Sequence, residues 1–91
     1  MDLGIRGRKA IVCASSKGLG KGCALALAEA GVDLVINGRD GKLLGRTAAE
    51  IRSRFGVEVL EVAGDVADPA VQATLLAAYP EIDILVNNNG G

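Results

Sequence analysis

Short apolar runs alternate along the chain with longer stretches in which apolar residues recur every three or four positions. Residues 9–14 (KAIVCA) read as a fully buried strand set between Gly7 and the Ser15-Ser16 pair. Residues 18–30 have helical period. Leu19, Cys23, Ala26, Leu27 and Ala30 fall on one stripe, and Gly31 ends it. Residues 33–37 (DLVIN) read as a second strand. Asp40 is placed to cap a helix over 41–55, whose inward stripe is Leu44, Ala48, Ile51 and Phe55 and whose stop is Gly56. A third strand is predicted over 57–63. Asp68-Pro69 pairs a capping residue with a proline at the first helical position, opening a helix to about Ala78 with Val71, Leu75 and Ala78 inward. Pro80 breaks it, and residues 82–87 (IDILVN) form the fourth predicted strand.

The order β-α-β-α-β-α-β implies an α/β chain with a doubly wound parallel sheet and right-handed crossovers. The expected strand order is 3-2-1-4. The first two helices then share one face, and the third lies on the other. Strand 4 becomes an edge carrying Ile82, Ile84, Leu85 and Val86, and the sheet is expected to be incomplete.

Composition narrows the function classes. A chain of 91 residues holds one modest core. With 49% apolar and 23% charged residues it is expected to fold. A net charge of −1 argues against a nucleic-acid or anionic-membrane surface, and no apolar run reaches the length of a membrane span. Two cysteines, Cys13 and Cys23, without any histidine give neither a zinc site nor a disulfide framework, which points to a reducing, cytoplasmic setting. Both read as packing residues, Cys13 at a buried strand end and Cys23 on a helical stripe.

The candidate chemistry lies between strand 1 and helix 1. Gly18 and Gly20 open the helix, where exposed N–H groups and the helix dipole favour an anion. The strict G-x-G-x-x-G fingerprint is not met, because Cys23 stands where the third glycine belongs. A P-loop fails too: it would need glycine at Ser15 and Ser or Thr at Gly22. On these residues alone, the loop is either a phosphate cradle or a structural turn.

The segment Cys13-Ala14-Ser15-Ser16-Lys17-Gly18-Leu19-Gly20 resembles the T-G-x-x-x-G-x-G motif of short-chain dehydrogenases/reductases. Cys13 stands at the family's Thr, Ala14 at its first Gly, and Gly18 and Gly20 match the other two. The string is most similar to 3-oxoacyl-carrier-protein reductase-like members. Gly64-Asp65-Val66 resembles the family's Asp-Val, whose carboxylate accepts from the adenine amino group. Asn87-Asn88-Asn89-Gly90 resembles its Asn-Asn-Ala-Gly, with Asn89 in place of Ala. The resemblance implies a Rossmann-type fold and makes residues 1–91 the N-terminal part of a single NADP(H)-binding domain. It assigns Ala14, Ser15, Ser16, Lys17, Gly18, Leu19 and Gly20 to the phosphates, Asp65 and Val66 to adenine, and Asn87, Asn89 and Gly90 to the sheet end beside adenosine.

The resemblance also orients the choice of dinucleotide. The position that carries an acid for the ribose 2′-OH in NAD-binding members is Gly38, and Arg39 follows it. Arg39 and Lys17 can pair with a 2′-phosphate, and the Ser16 hydroxyl can donate to it, which favours NADP(H). The other reading takes both cations as ordinary surface charges. The implied reaction is reduction of a carbonyl, 3-oxoacyl-thioester-like or ketone, to a secondary alcohol. The family's Ser and Tyr-x-x-x-Lys have no counterpart here. The one tyrosine, Tyr79, is followed four positions on by Asp83. The chain alone is therefore expected to be inactive, with no catalytic and no metal-binding residue, and a homo-oligomer is implied for the complete protein. A stand-alone nucleotide-binding module and a truncated, functionless product are the alternatives.

Overall fold

The computed structural model describes residues 8–13, 18–65, 67–78 and 84–87. The elements are β1 (Lys9–Cys13), α1 (Gly18–Glu29), β2 (Asp33–Gly38), α2 (Gly41–Phe55), β3 (Val59–Ala63), α3 (Pro69–Ala78) and β4 (Ile84–Asn87). All three strand pairings are parallel, in the order β3-β2-β1-β4. This is the doubly wound, Rossmann-type arrangement that the alternation of runs implies.

Local chemistry sets the helix ends. The Asp40 carboxylate accepts from the Lys42 and Leu43 amides at 3.0 and 3.2 Å, so two of the orphan donors of α2 are satisfied. Gly56 closes α2 in the left-handed conformation (φ 69°), donating to the Arg52 carbonyl. The Asp68 side chain accepts from Ala70 at 2.9 Å to open α3. Gly31, at φ 88°, turns the chain from α1 into β2.

Successive strand residues point to opposite faces, and the core accordingly has two parts. On one face Val12, Leu34, Ile36 and Val59 pack under Ala24 and Ala28 of α1 and Leu44, Ala48 and Ile51 of α2. On the other, Ile11, Cys13, Val35 and Val62 pack under Leu75 of α3, with Leu60, Val71 and Ala78 at the margin.

Three expectations need correction. Ala26 of α1 is exposed; Ala30 is in the core and Cys23 and Leu27 pack against it as expected, but the fully buried line also takes in Gly20, Ala24 and Ala28. In a helix made almost wholly of Ala, Leu and Gly the smallest side chains take the sheet side, because they allow the closest approach. Strand β3 begins at Val59 rather than at Val57: the ladder to β2 starts at Leu34↔Val59, and the Glu58 amide is taken by the Asp33 carboxylate at 3.0 Å. Strand β4 is described from Ile84 onward. Of its apolar side chains only Leu85 is largely exposed (65%), while Ile84 and Val86 lean on the first core.

Candidate functional site

The carboxyl ends of the strands lie side by side. Cys13 of β1 pairs with Asn87 of β4, and Asn37 and Gly38 of β2 pair with Val62 and Ala63 of β3. Strand β1 is the switch point: its neighbours β2 and β4 are reached by crossovers that place helices on opposite faces. In open α/β sheets the crevice outside this point is where ligands bind. Helix α1 starts at Gly18 at this edge and carries no acidic residue in its first turn, and the amide groups and dipole of a helix N-terminus favour an anion.

Arg39 leaves the end of β2 and Asp65 the end of β3, and the structure brings them together. Arg39 Nη2 lies 3.5 Å from Asp65 Oδ2, with 82% and 50% of the side chains exposed. A pair this open is worth at most about 1 kcal/mol, so both groups can be turned to a ligand at little cost. The second Asp65 oxygen accepts from the Ala67 amide at 2.9 Å, which holds the carboxylate at the turn. Gly38 is buried and has no side chain with which to contest a phosphate beside Arg39.

The turn that delivers Asp65 is tightly made. Gly64 has φ 136°, and a Cβ there would sit 2.7 Å from Val71 Cγ2 of α3. Its amide donates to the Gly38 carbonyl at 2.9 Å. The buried Asn37 side chain donates from Nδ2 to the Val62 and Gly64 carbonyls, at 3.0 and 3.1 Å. Asn37 was not among the sequence candidates. Its signal was a lone amide closing the apolar run Leu34-Val35-Ile36, directly before Gly38-Arg39.

The other candidates divide as follows. Gly18, Leu19 and Gly20 form the first turn of α1, and Asn87 ends β4. Ala14, Ser15, Ser16, Lys17, Val66, Asn89 and Gly90 lie outside the described residues, as does Tyr79. Cys13 and Cys23 are free thiols. Burial pushes the Cys13 thiol up from its ordinary value, which makes it a poor nucleophile near neutrality and fits a packing role. No helix among the described residues is long and apolar enough to cross a membrane.

Comparison with known proteins completes the picture. Residues 8–91 match the short chain dehydrogenase family. The chain belongs to that family. Among curated short chain dehydrogenase-like relatives, it is 40% identical over 91 residues to the uncharacterized oxidoreductase YvaG of Bacillus subtilis, covering 99% of this chain and 34% of that protein. It is 31% identical over 97 residues to the 3-oxoacyl-[acyl-carrier-protein] reductase FabG of Aquifex aeolicus, covering 99% and 38%. The L-sorbose reductase of Gluconobacter frateurii, solved with NADPH and L-sorbose, superposes with a TM-score of 0.90 at 40% identity, covering 100% of this chain and 36% of that one. The chain thus spans about a third of the length of the short chain dehydrogenases it matches.

Proposed function

We propose that this chain is the NADP(H)-binding part of a short-chain oxidoreductase that reduces a ketone or 3-oxoacyl-thioester-like carbonyl to a secondary alcohol. The observation that carries the reading is the corner at the carboxyl ends of β2 and β3. An exposed guanidinium, Arg39, and a carboxylate, Asp65, meet there, and the intervening acid position is a buried glycine, Gly38. That donor set suits an adenosine bearing a 2′-phosphate. Asp65 accepts from the adenine amino group, with Val66 beside it. Arg39 pairs with the phosphate and stacks on the ring. Ala14, Ser15, Ser16, Lys17, Gly18, Leu19 and Gly20 surround the pyrophosphate and the 2′-phosphate at the start of α1, and Asn87, Asn89 and Gly90 close the adenosine side.

NADPH, when bound, supplies the hydride for the carbonyl carbon. This chain's own residues bind and orient the adenosine half. The 91 residues hold no Tyr-x-x-x-Lys pair to move the proton, so by themselves they bind cofactor without turning over substrate. The reading carries with it a cytoplasmic setting and a homo-oligomeric complete enzyme. It is supported by the NADPH held in the L-sorbose reductase structure.

Calorimetric titration of the chain with NADP+ and NAD+ tests it. NADP+ is expected to bind more tightly, and Arg39→Asp to cost it about 2 kcal/mol, a charge-assisted pair lost and a repulsion gained. Equal affinity for the two cofactors, or no effect of the substitution, would overturn the proposal.

A further inference from the structure

Asn37 has no place in the sequence motifs, yet it is a buried amide at the carboxyl edge of the sheet. It is 2% exposed. Val35, two positions earlier on the same face, is a core residue, and a third apolar side chain would have continued that core at lower desolvation cost. The amide is instead committed to backbone. Nδ2 donates to the Val62 carbonyl at 3.0 Å and to the Gly64 carbonyl at 3.1 Å. Val62 is within β3, where ordinary strand pairing to β2 holds the backbone. Gly64 follows the last residue of β3, and its carbonyl lies past the last paired residue. One amide group therefore grips the strand and the first residue of the turn together.

The grip is closed from the other side. The Gly64 amide donates to the Gly38 carbonyl at 2.9 Å, so residues 37 and 38 of β2 hold both polar backbone groups of Gly64. The turn is also braced locally: the Asp65 side chain accepts from the Ala67 amide and the Asp65 carbonyl from the Asp68 amide, both at 2.9 Å. Gly64 is at φ 136°, a conformation open to glycine and rarely adopted by residues with a Cβ, and it lies against Val71 of α3. The residue immediately after each half of this clasp is one of the two groups that meet: Arg39 follows Gly38, and Asp65 follows Gly64. Their own contact, 3.5 Å long and exposed, is too weak to fix their separation.

We infer that Asn37 is a positioning residue for the cofactor corner: through the Gly64 carbonyl it sets where Asp65, and with it the partner Arg39, stands against an adenosine 2′-phosphate. This rests on the reading that the corner binds NADP(H), and it adds a residue that touches no ligand. An apolar side chain of the same size at position 37 fills the core but lets go of the turn.

Two readouts on Asn37→Leu test the inference. The first needs no ligand. Amide exchange at Gly64, followed by NMR, is expected to speed up at least tenfold (about one factor of ten in local opening), while the amides of Ala24 and Ala28 in α1 keep their protection. The second is affinity for 2′,5′-ADP, expected to fall about tenfold, with the preference over 5′-AMP reduced alongside it. A loss of packing alone would not change that preference. Asn37→Thr, which retains one donor, is expected to recover part of both effects, and it replaces Asn37→Leu if the latter does not fold. A folded Asn37→Leu or Asn37→Thr with native Gly64 exchange overturns the inference, as does native 2′,5′-ADP affinity in a chain whose Arg39→Ala variant has lost it. Failure of the unaltered chain to bind 2′,5′-ADP strikes instead at the NADP(H) reading, and the positioning of the turn is then decided by the Gly64 exchange alone.

Discussion

The two faces of the sheet are built to different standards. Under α1 and α2, Leu34, Ile36, Leu44 and Ile51 are exposed by 1% or less, and the ion pair Lys21–Glu50 joins the two helices outside them, with Arg54 of α2 also pairing with Glu50. Under α3, Leu75 is the one fully buried helix residue described, while Leu76 on the helix and Leu85 on β4 are 66% and 65% exposed. The strand edges differ in the same sense. On β3, Arg52 donates to the Val59 carbonyl and pairs with Glu61 at 3.2 Å, so the outer edge is occupied by a charged side chain. The reason is topological: two crossovers put two helices over β1, β2 and β3, and one crossover puts a single helix over the opposite face. The proposed adenosine corner stands at the carboxyl ends of β2 and β3, and Asn37 and Gly64, which shape it, face the side of α3, Gly64 against Val71.

Substitutions can break this comparison. Ile36→Ala, in the closed core, is expected to cost about 2–5 kcal/mol in chemical unfolding, and Leu85→Ala on the open face less than about 0.5 kcal/mol. Equal losses would mean that the two faces are packed alike. Gly64→Ala falls between them. It places a Cβ against Val71 at a positive φ, and about 2 kcal/mol of destabilisation is expected, together with weakened 2′,5′-ADP binding. A stable variant with native affinity would show that the turn relaxes without moving Asp65.

The smallest effect concerns the link between α1 and α2. The Lys21 ammonium, hydrogen-bonded at 3.1 Å, and then Arg54 hold the Glu50 carboxyl below the usual carboxylate range. A lowered folded value means that this contribution is complete above the ordinary glutamate value and is lost as pH falls through the lowered one. Glu50→Gln should therefore reduce stability slightly near neutrality and not at all in strong acid. The difference between urea midpoints at the two conditions measures it. A variant that is weaker only in acid would reverse the sign and contradict the assignment.

Most of the fold is legible along the chain because its determinants are local. Asp40, Gly56 and Asp68-Pro69 act within a turn of where they stand, and the alternation of runs with right-handed crossovers leaves few strand orders. What was not legible depends on distant partners. The buried face of α1 was read correctly at Cys23, Leu27 and Ala30 but not at Ala26, because nearly every residue of that helix is apolar and period alone does not centre the face; the fit of Gly20, Ala24 and Ala28 to the sheet does. Asn37 was missed because the carbonyls it serves lie 25 and 27 residues away. Arg39 and Asp65 were each read from the family motifs, but their meeting across β2 and β3 needs the register of the sheet.

The central claim is that the corner formed by β1, β2 and β3 receives the adenosine half of NADP(H). Titration of isotopically labelled chain with 2′,5′-ADP, followed amide by amide, tests it most directly. The account predicts the largest shifts at Gly18, Gly20, Gly38, Arg39, Gly64 and Asp65, with Leu76 and Leu85 unmoved. Shifts centred on Leu76 and Leu85, or saturating 2′,5′-ADP that leaves Arg39 and Asp65 where they were, would contradict it.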